Sequence, residues 1–138
     1  MGLQEKFMTL RVFMVEDSAA LRAHLTDRLV TGADVAVVGF ATTESQAKHW
    51  IESNPGQWDV AVVDLFLREG TGAGVVEHCR KLHPDRVVLV MTNHVKDEPL
   101  LQDCKRLGAD AVYHKATELD DLVAYCARRA SQSPVQVF

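Results

Sequence analysis

The chain has no surplus of positive charge, few cysteines and no long apolar run. Lysine and arginine number 15 against 19 acidic residues, which gives a net charge of −4, and no basic stripe is present, so we expect no nucleic-acid-binding surface. The cysteines Cys79, Cys104 and Cys126 are far apart and odd in number, which predicts buried free thiols in a cytoplasmic protein. No apolar run approaches the ~20 residues of a membrane span. Residues Met1–Lys6 lack the pattern of a secretory signal.

What is present is the composition of a globular domain. Hydrophobic residues make up 47% and charged residues 25% of 138 residues, enough to bury one core. We therefore expect a single domain over 1–138, with its core over about 10–130 and a polar tail over 131–138.

Strand and helix patterns alternate along the chain. Apolar runs predict strands over Leu10–Val15, Val35–Phe40, Trp58–Asp64, Arg86–Met91 and Ala111–His114. Between them, helical spacing and end signals predict helices over Ser18–Thr31, from Thr43 toward Ser53, over Ala73–Leu82, from near Pro99 to Leu107, and after a cap at Thr117. Strands that are apolar throughout are buried on both faces, which predicts an α/β domain with a doubly wound parallel sheet.

Polar residues stand where four of these strands end. Glu16 and Asp17 follow the first strand, Asp64 ends the third, Thr92 follows the fourth and Lys115 follows the fifth. In an open α/β sheet, ligands bind at the carboxyl ends of the strands. Three carboxylates in one place require a cation, and at least one of them should have a raised pKa without it. A hydroxyl and a lysine beside them suit a phosphoryl group.

Each of these residues also has a structural interpretation when taken singly. Asp17 alone could be a helix N-cap, Asp64 a turn residue and Thr92 the hydroxyl of a local turn. Glu16 and Lys115 alone could be solvated surface charges. The predicted site would be absent only if all five of these structural interpretations were correct.

These residues in this order resemble the receiver domain of two-component response regulators, as does Gly108-Ala109-Asp110 before the last strand. The resemblance runs from about residue 10 to residue 129. It implies a flavodoxin-like fold of five strands in the order 2-1-3-4-5 and five helices. It also implies transfer of a phosphoryl group to Asp64 from a histidine kinase or phosphotransfer protein. The chain would then be no enzyme beyond catalysing its own phosphorylation and dephosphorylation.

The same resemblance implies the roles of the site residues. Asp17 and Asp64 would ligate Mg²⁺, Glu16 would hold a coordinated water, and the backbone carbonyl of Phe66 would be a further ligand. Thr92 and Lys115 would stabilise the transferring charge and couple it to a change of shape.

Three positions depart from the family pattern, and two others tune the chemistry of the site. Arg68 stands near the usual position of a proline, which predicts a more flexible loop, and Ala116 replaces a proline that usually follows a cis bond. Val112 stands where an aromatic switch residue is usual, and Phe66 and His94 occupy positions that influence the lifetime of the phosphoryl group.

The resemblance places an output surface over residues 99–130, for a downstream protein partner or a homodimer. Because Val112 is small and stiff, we expect Tyr113 or the loop His94–Glu98 to carry the rearrangement.

Two other classes of function compete with a phosphorylated receiver. One is a phosphorylation-independent docking module, which Val112 and Ala116 leave open. The other is a phosphohydrolase with an aspartyl nucleophile. That chemistry commonly uses a second acid two residues after the first, and Phe66 stands at that position.

Overall fold

A computed structural model describes residues 9–32, 34–94 and 96–132. Its strands are β1 (Leu10–Val15), β2 (Val35–Ala41), β3 (Val60–Asp64), β4 (Val87–Thr92) and β5 (Ala111–His114). Its helices are α1 (Ala19–Gly32), α2 (Glu44–Ser53), α3 (Gly72–Leu82), α4 (Glu98–Leu107) and α5 (Leu119–Ser131). The predictions for Met1–Lys6, for Val95 and for most of the tail lie outside the described residues.

The five strands form one parallel sheet in the order β2-β1-β3-β4-β5. This confirms the predicted doubly wound, flavodoxin-like architecture. β3, in the middle, pairs with β1 and β4 and is buried along its whole length. Its position explains why Val60–Asp64 reads as an uninterrupted apolar run that ends in an acid.

The sheet separates two apolar cores. On one face, α1 and α5 pack through residues such as Leu25, Leu29 and Leu122. On the other face, α2, α3 and α4 contribute residues such as Ile51 and Val75. The three cysteines are buried and free, as predicted. Each core covers one side of every central strand, so the strand ends are the places where polar groups reach solvent.

Two local predictions were wrong. Thr117 does not cap α5: the cap residue is Glu118, which makes no side-chain cap hydrogen bond. Its Oε1 instead accepts from the His114 amide at 2.8 Å, so the acid holds the end of β5 rather than the start of the helix. Helical spacing predicts that Leu82 lies on one face of α3 with Val75 and Cys79, but those two residues are buried whereas Leu82, the last residue of the helix, is 47% exposed. Among the described residues, no helix is long and apolar enough to cross a membrane.

Candidate functional site

The acids converge because their strands are neighbours in the sheet. Val15 of β1 pairs with Val63 of β3, so Glu16 and Asp17 emerge beside Asp64. One carboxylate oxygen from each of the three acids lies within 4.8 Å of those of the other two. The predicted cluster is therefore present at the carboxyl edge of the sheet.

Lys115 reaches into this cluster from the end of β5. Its Nζ lies 3.0 Å from Asp64 Oδ2 and 3.2 Å from Glu16 Oε1. Burial disfavours the ammonium, but the hydrogen bond and charge of Asp64 and the charge of Glu16 outweigh it, so the pKa of Lys115 lies above its ordinary value. With 18% of its side chain exposed, this lysine is part of the site and not a solvated surface charge.

Glu16 is fully buried, which is unusual for a carboxylate. Its Oε2 accepts from the Ser18 amide at 2.9 Å, whereas Oε1 has no hydrogen bond in proper geometry despite its closeness to Lys115. Burial raises the pKa of Glu16, the Asp64 charge adds to this, and Ser18 and Lys115 oppose it without cancelling it. The expected raised pKa is therefore confirmed, with burial as its first cause and repulsion as a smaller one.

Asp17 does not cap the first helix. Ser18 does so, because its Oγ accepts from the Leu21 amide at 3.2 Å. Asp17 Oδ2 instead accepts from the backbone amide of Arg68 at 2.8 Å, and the Arg68 Nε lies 3.9 Å away. The sequence showed Arg68 only as a departure from proline. Its contact with Asp17 was not expected, and the added positive charge beside an acidic cluster was the available signal.

Thr92 and Asp64 use part of their hydrogen-bonding capacity locally. The Thr92 hydroxyl accepts from the His94 amide at 3.0 Å, and Asp64 Oδ1 accepts from the Phe66 amide at 3.2 Å. The Lys115 amide donates to the Thr92 carbonyl at 3.0 Å, so the ends of β4 and β5 are joined beside Asp64. Thr92 itself is fully buried. The Thr92 hydroxyl and the Lys115 ammonium therefore lie at the ends of two neighbouring strands, β4 and β5.

The loop between β3 and α3 is held by Glu44 at the start of α2. Its Oε1 accepts from the Thr71 amide at 2.7 Å. Gly70 has a φ of 82° and leaves room for Glu44, since an added Cβ would lie 2.3 Å from the Cβ of Glu44. A Cβ on Gly72 would lie 2.2 Å from the Asp64 carbonyl oxygen. Glycine is therefore required where the loop returns past the acidic strand end.

The rings of Phe66 and His94 meet at the rim of the site. Their centroids are 4.7 Å apart and tilted by 59°, and Phe66 is 53% exposed. Among the described residues no peptide bond is cis, so Lys115 precedes a trans bond to Ala116. Val112 packs against the core shared with α3 and α4, and Tyr113 against the opposite core.

The donor set fits a hard divalent cation. Mg²⁺ takes oxygen ligands and retains several waters, and this cluster offers three carboxylates whose oxygens lie within 4.8 Å of one another. Glu16 Oε1 is ion-paired with Lys115 at 3.2 Å but makes no hydrogen bond in proper geometry, so it could still accept from a metal-bound water. The triad is therefore able to hold a metal ion.

Comparison with known proteins agrees with this geometry. The family model for the response regulator receiver domain matches residues 12–127. The chain belongs to this family. Among solved structures, a LuxR-family two-component response regulator from Aurantimonas sp. SI85-9A1 is 21% identical with a TM-score of 0.79. The match covers 91% of this chain and 88% of that one. A CheX–CheY–BeF3–Mg²⁺ complex from Borrelia burgdorferi is 16% identical with a TM-score of 0.76, over 83% and 84% of the two chains.

Curated relatives of this receiver domain are longer proteins. A protein-glutamate methylesterase/protein-glutamine glutaminase of Gluconobacter oxydans is 30% identical over 93% of this chain and 38% of its own length. The transcriptional activator DevR/DosR of Mycobacterium tuberculosis is 34% identical over 66% of this chain and 41% of its own length. The receiver domain described here thus spans less than half of either relative.

Proposed function

We propose that this receiver domain accepts a phosphoryl group on Asp64 from a histidine kinase or phosphotransfer protein, with Mg²⁺ held by Asp17, Asp64 and, through water, Glu16. The observation that carries the proposal is the Lys115 ammonium, which lies within 3.2 Å of both Asp64 and Glu16. A cation joined to two carboxylates, with a third acid beside them, is the charge arrangement that a transferring phosphoryl group requires.

The residues divide the work as follows. A carboxylate oxygen of Asp64 attacks phosphorus in line while the donor leaves from the opposite side. Lys115 and the Thr92 hydroxyl stabilise the charge on the transferring oxygens. Asp17, Asp64 and the backbone carbonyl of Phe66 would hold the Mg²⁺ ion, which would supply positive charge to neutralise the negative charge of the transferring group. Each of these side-chain roles is assigned to an acidic or hydrogen-bond-donating side chain at the carboxyl end of β1, β3, β4 or β5.

The output surface is the face formed by α4, β5 and α5. Phosphorylation adds negative charge beside Lys115 and Thr92 and draws both toward the new oxygens. The Lys115 amide is hydrogen-bonded to the Thr92 carbonyl, so the two strand ends move together. A downstream protein or a second copy of the chain would read this change at residues 99–130. Tyr113 or the loop His94–Glu98 carries it in place of an aromatic ring at Val112.

Incubation with acetyl phosphate and Mg²⁺, followed by intact-protein mass spectrometry, tests the proposal. We expect the mass of one phosphoryl group on the parent and on the matched control Asp103→Asn, whose acid is exposed on α4. Asp64→Asn should remain unlabelled. Equal labelling of Asp64→Asn would overturn the assignment of the acceptor, and an unlabelled parent would favour the phosphorylation-independent docking module.

A further inference from the structure

Arg68 brings a second cation to the acidic cluster. Lys115 contacts two of the three acids, Glu16 and Asp64. The third acid, Asp17, has the Arg68 Nε at 3.9 Å. Every carboxylate of the cluster therefore has a basic side chain within 4 Å, supplied by the residue after β5 and by the loop between β3 and α3.

The two cations differ in exposure. The Lys115 side chain is 18% exposed, whereas the Arg68 side chain is 82% exposed. Arg68 is fixed to the site by its backbone amide, which donates to Asp17 Oδ2 at 2.8 Å. Its guanidinium is thus a solvent-exposed positive charge beside Asp17, at the outer side of the acidic cluster.

We propose that Arg68 is a specificity-determining residue that selects by charge at the entrance to the site. Its guanidinium weakens the binding of the divalent cation and favours the approach of the anionic phosphoryl donor. The inference rests on the proposed function for its second half only, because cation binding by the acids does not require phosphorylation.

The two effects have opposite signs for one physical reason. A fixed positive charge repels Mg²⁺ and attracts a phosphate anion over the same distances. An exposed charge about 4 Å from its partner changes an equilibrium by roughly two- to five-fold. A residue that served only the structure of the loop would change both binding steps in the same direction.

Substitutions can separate the side chain from the amide. Arg68→Gln keeps the backbone N–H on Asp17 and removes the charge, whereas Arg68→Lys keeps both. Arg68→Pro removes both, because proline has no N–H. Arg106→Gln is the control for net charge, since Arg106 is 70% exposed at the end of α4 and pairs with Asp103.

The cation half is tested by calorimetric titration of each variant with MgCl₂ in the absence of any phosphoryl donor. We expect the dissociation constant of Arg68→Gln to be roughly two- to five-fold lower than that of the parent. Arg68→Lys and Arg106→Gln should match the parent. An unchanged or higher dissociation constant in Arg68→Gln overturns this half.

The donor half is tested by the initial rate of labelling with acetyl phosphate, at a Mg²⁺ concentration that saturates every variant. We expect Arg68→Gln to react roughly two- to five-fold more slowly than the parent, with the difference shrinking at high NaCl because exposed charges are screened. Arg68→Lys should restore the rate. A rate in Arg68→Gln equal to or above that of the parent overturns this half.

Arg68→Pro shows whether the amide contributes separately. If the guanidinium acts alone, Arg68→Pro should match Arg68→Gln in both assays, and a further change in Arg68→Pro adds a role for the Asp17 hydrogen bond. Should the parent fail to label at all, the donor half falls together with the proposed function, while the Mg²⁺ titration still decides the cation half.

Discussion

Charged side chains are paired in different ways at the two edges of the sheet. At the carboxyl edge, Lys115 contacts two of the three acids, Arg68 lies 3.9 Å from the third, and Glu16 Oε1 makes no hydrogen bond in proper geometry. At the amino edge, where strands β1, β3, β4 and β5 begin, arginines meet carboxylates and backbone carbonyls in matched sets. Polar groups at the carboxyl edge keep unused hydrogen-bonding capacity, whereas those at the amino edge are hydrogen-bonded to other groups of the protein.

Arg80 illustrates the amino edge. Its guanidinium donates to the carbonyls of Gly108, Pro84 and Arg86 and to Asp110 Oδ2, over 2.6 to 3.2 Å. It therefore joins the end of α3 to the starts of β4 and β5. Asp110 Oδ2 also accepts from the Val88 amide at 2.8 Å. The same carboxylate therefore pairs with a charged side chain and with a backbone N–H group.

Arg11 in β1 and Arg86 just before β4 repeat the arrangement on either side of β3. Arg86 donates to the carbonyls of Trp58 and Pro55 at 2.8 and 2.9 Å. The Arg11 guanidinium donates two hydrogen bonds to the carboxylate of Asp59, at 2.9 and 3.1 Å, and the Arg11 backbone amide donates a third at 2.8 Å. Satisfied polar networks of this kind rigidify a structure. The contrast indicates that the amino edge stabilises the fold and that the carboxyl edge holds an acidic triad able to bind a metal ion.

The largest expected effect is at the carboxyl edge. In the absence of Mg²⁺, Lys115→Ala should lower the free energy of unfolding by about 3 kcal/mol, because it leaves two buried carboxylates without their cation. Adding Mg²⁺ should stabilise this variant more than the parent, since the site has become more negative. Urea unfolding with EDTA and with Mg²⁺ measures both values. Lys105→Ala, an exposed lysine on α4, is the control. If Mg²⁺ raises the free energy of unfolding of Lys115→Ala by no more than it does in the parent, the expectation is contradicted.

The amino edge should respond to truncation but not to metal. Arg80→Ala leaves three carbonyls and a carboxylate without their donor, and we expect a loss of about 2 kcal/mol. Urea unfolding should show that Mg²⁺ raises the free energy of unfolding of this variant by as much as it does in the parent. Arg106→Ala, which loses only an exposed ion pair, should change stability by less than about 0.5 kcal/mol. A larger Mg²⁺ increment in Arg80→Ala would show that the two edges are coupled.

Removing one charge from the acidic cluster should stabilise the protein. Without metal, Asp17→Asn should raise the free energy of unfolding by about 1 kcal/mol, because it relieves repulsion among three carboxylates. The same change should weaken Mg²⁺ binding in calorimetry, since an amide oxygen replaces a charged ligand. Asp103→Asn is the matched surface control. If Asp17→Asn binds Mg²⁺ as tightly as the parent, Asp17 is not a ligand.

The smallest expected effect concerns pH at the amino edge. Burial disfavours the carboxylate of Asp59, but the hydrogen bonds and charge of Arg11 outweigh it, so the pKa of Asp59 lies below its ordinary value. The unfolded state therefore takes up a proton first as the pH falls. The stabilisation by Asp59 is complete above the ordinary aspartate pKa and is lost as the pH falls through the lowered value. Asp59→Asn should flatten this part of the stability profile in urea unfolding between neutral and acidic pH. A profile as steep as that of the parent would assign the effect to other acids.

Much of the architecture could be predicted from local patterns. Strands buried on both faces are apolar throughout, so their ends are marked by the first polar residue, as at Asp64 and Thr92. Neighbouring parallel strands carry those residues to one edge, which is why the acidic cluster was predictable. The cap at Glu118 was not, because Thr117 offered the usual capping side chain and the contact with the end of β5 depends on the folded turn.

Contacts between loops were decided by the tertiary structure alone. Arg68 meets Asp17 across 51 positions of sequence, and Arg80 meets Gly108 across 28. Neither arginine belongs to a periodic pattern, and long polar side chains at a surface have many possible partners until the backbone places one within reach. The apolar pattern of this chain therefore specifies the sheet and the position of its acids, because burial selects residue type strand by strand. The Arg68 contact with Asp17 and the arginine contacts of the amino edge depend on which loops the folded sheet brings together.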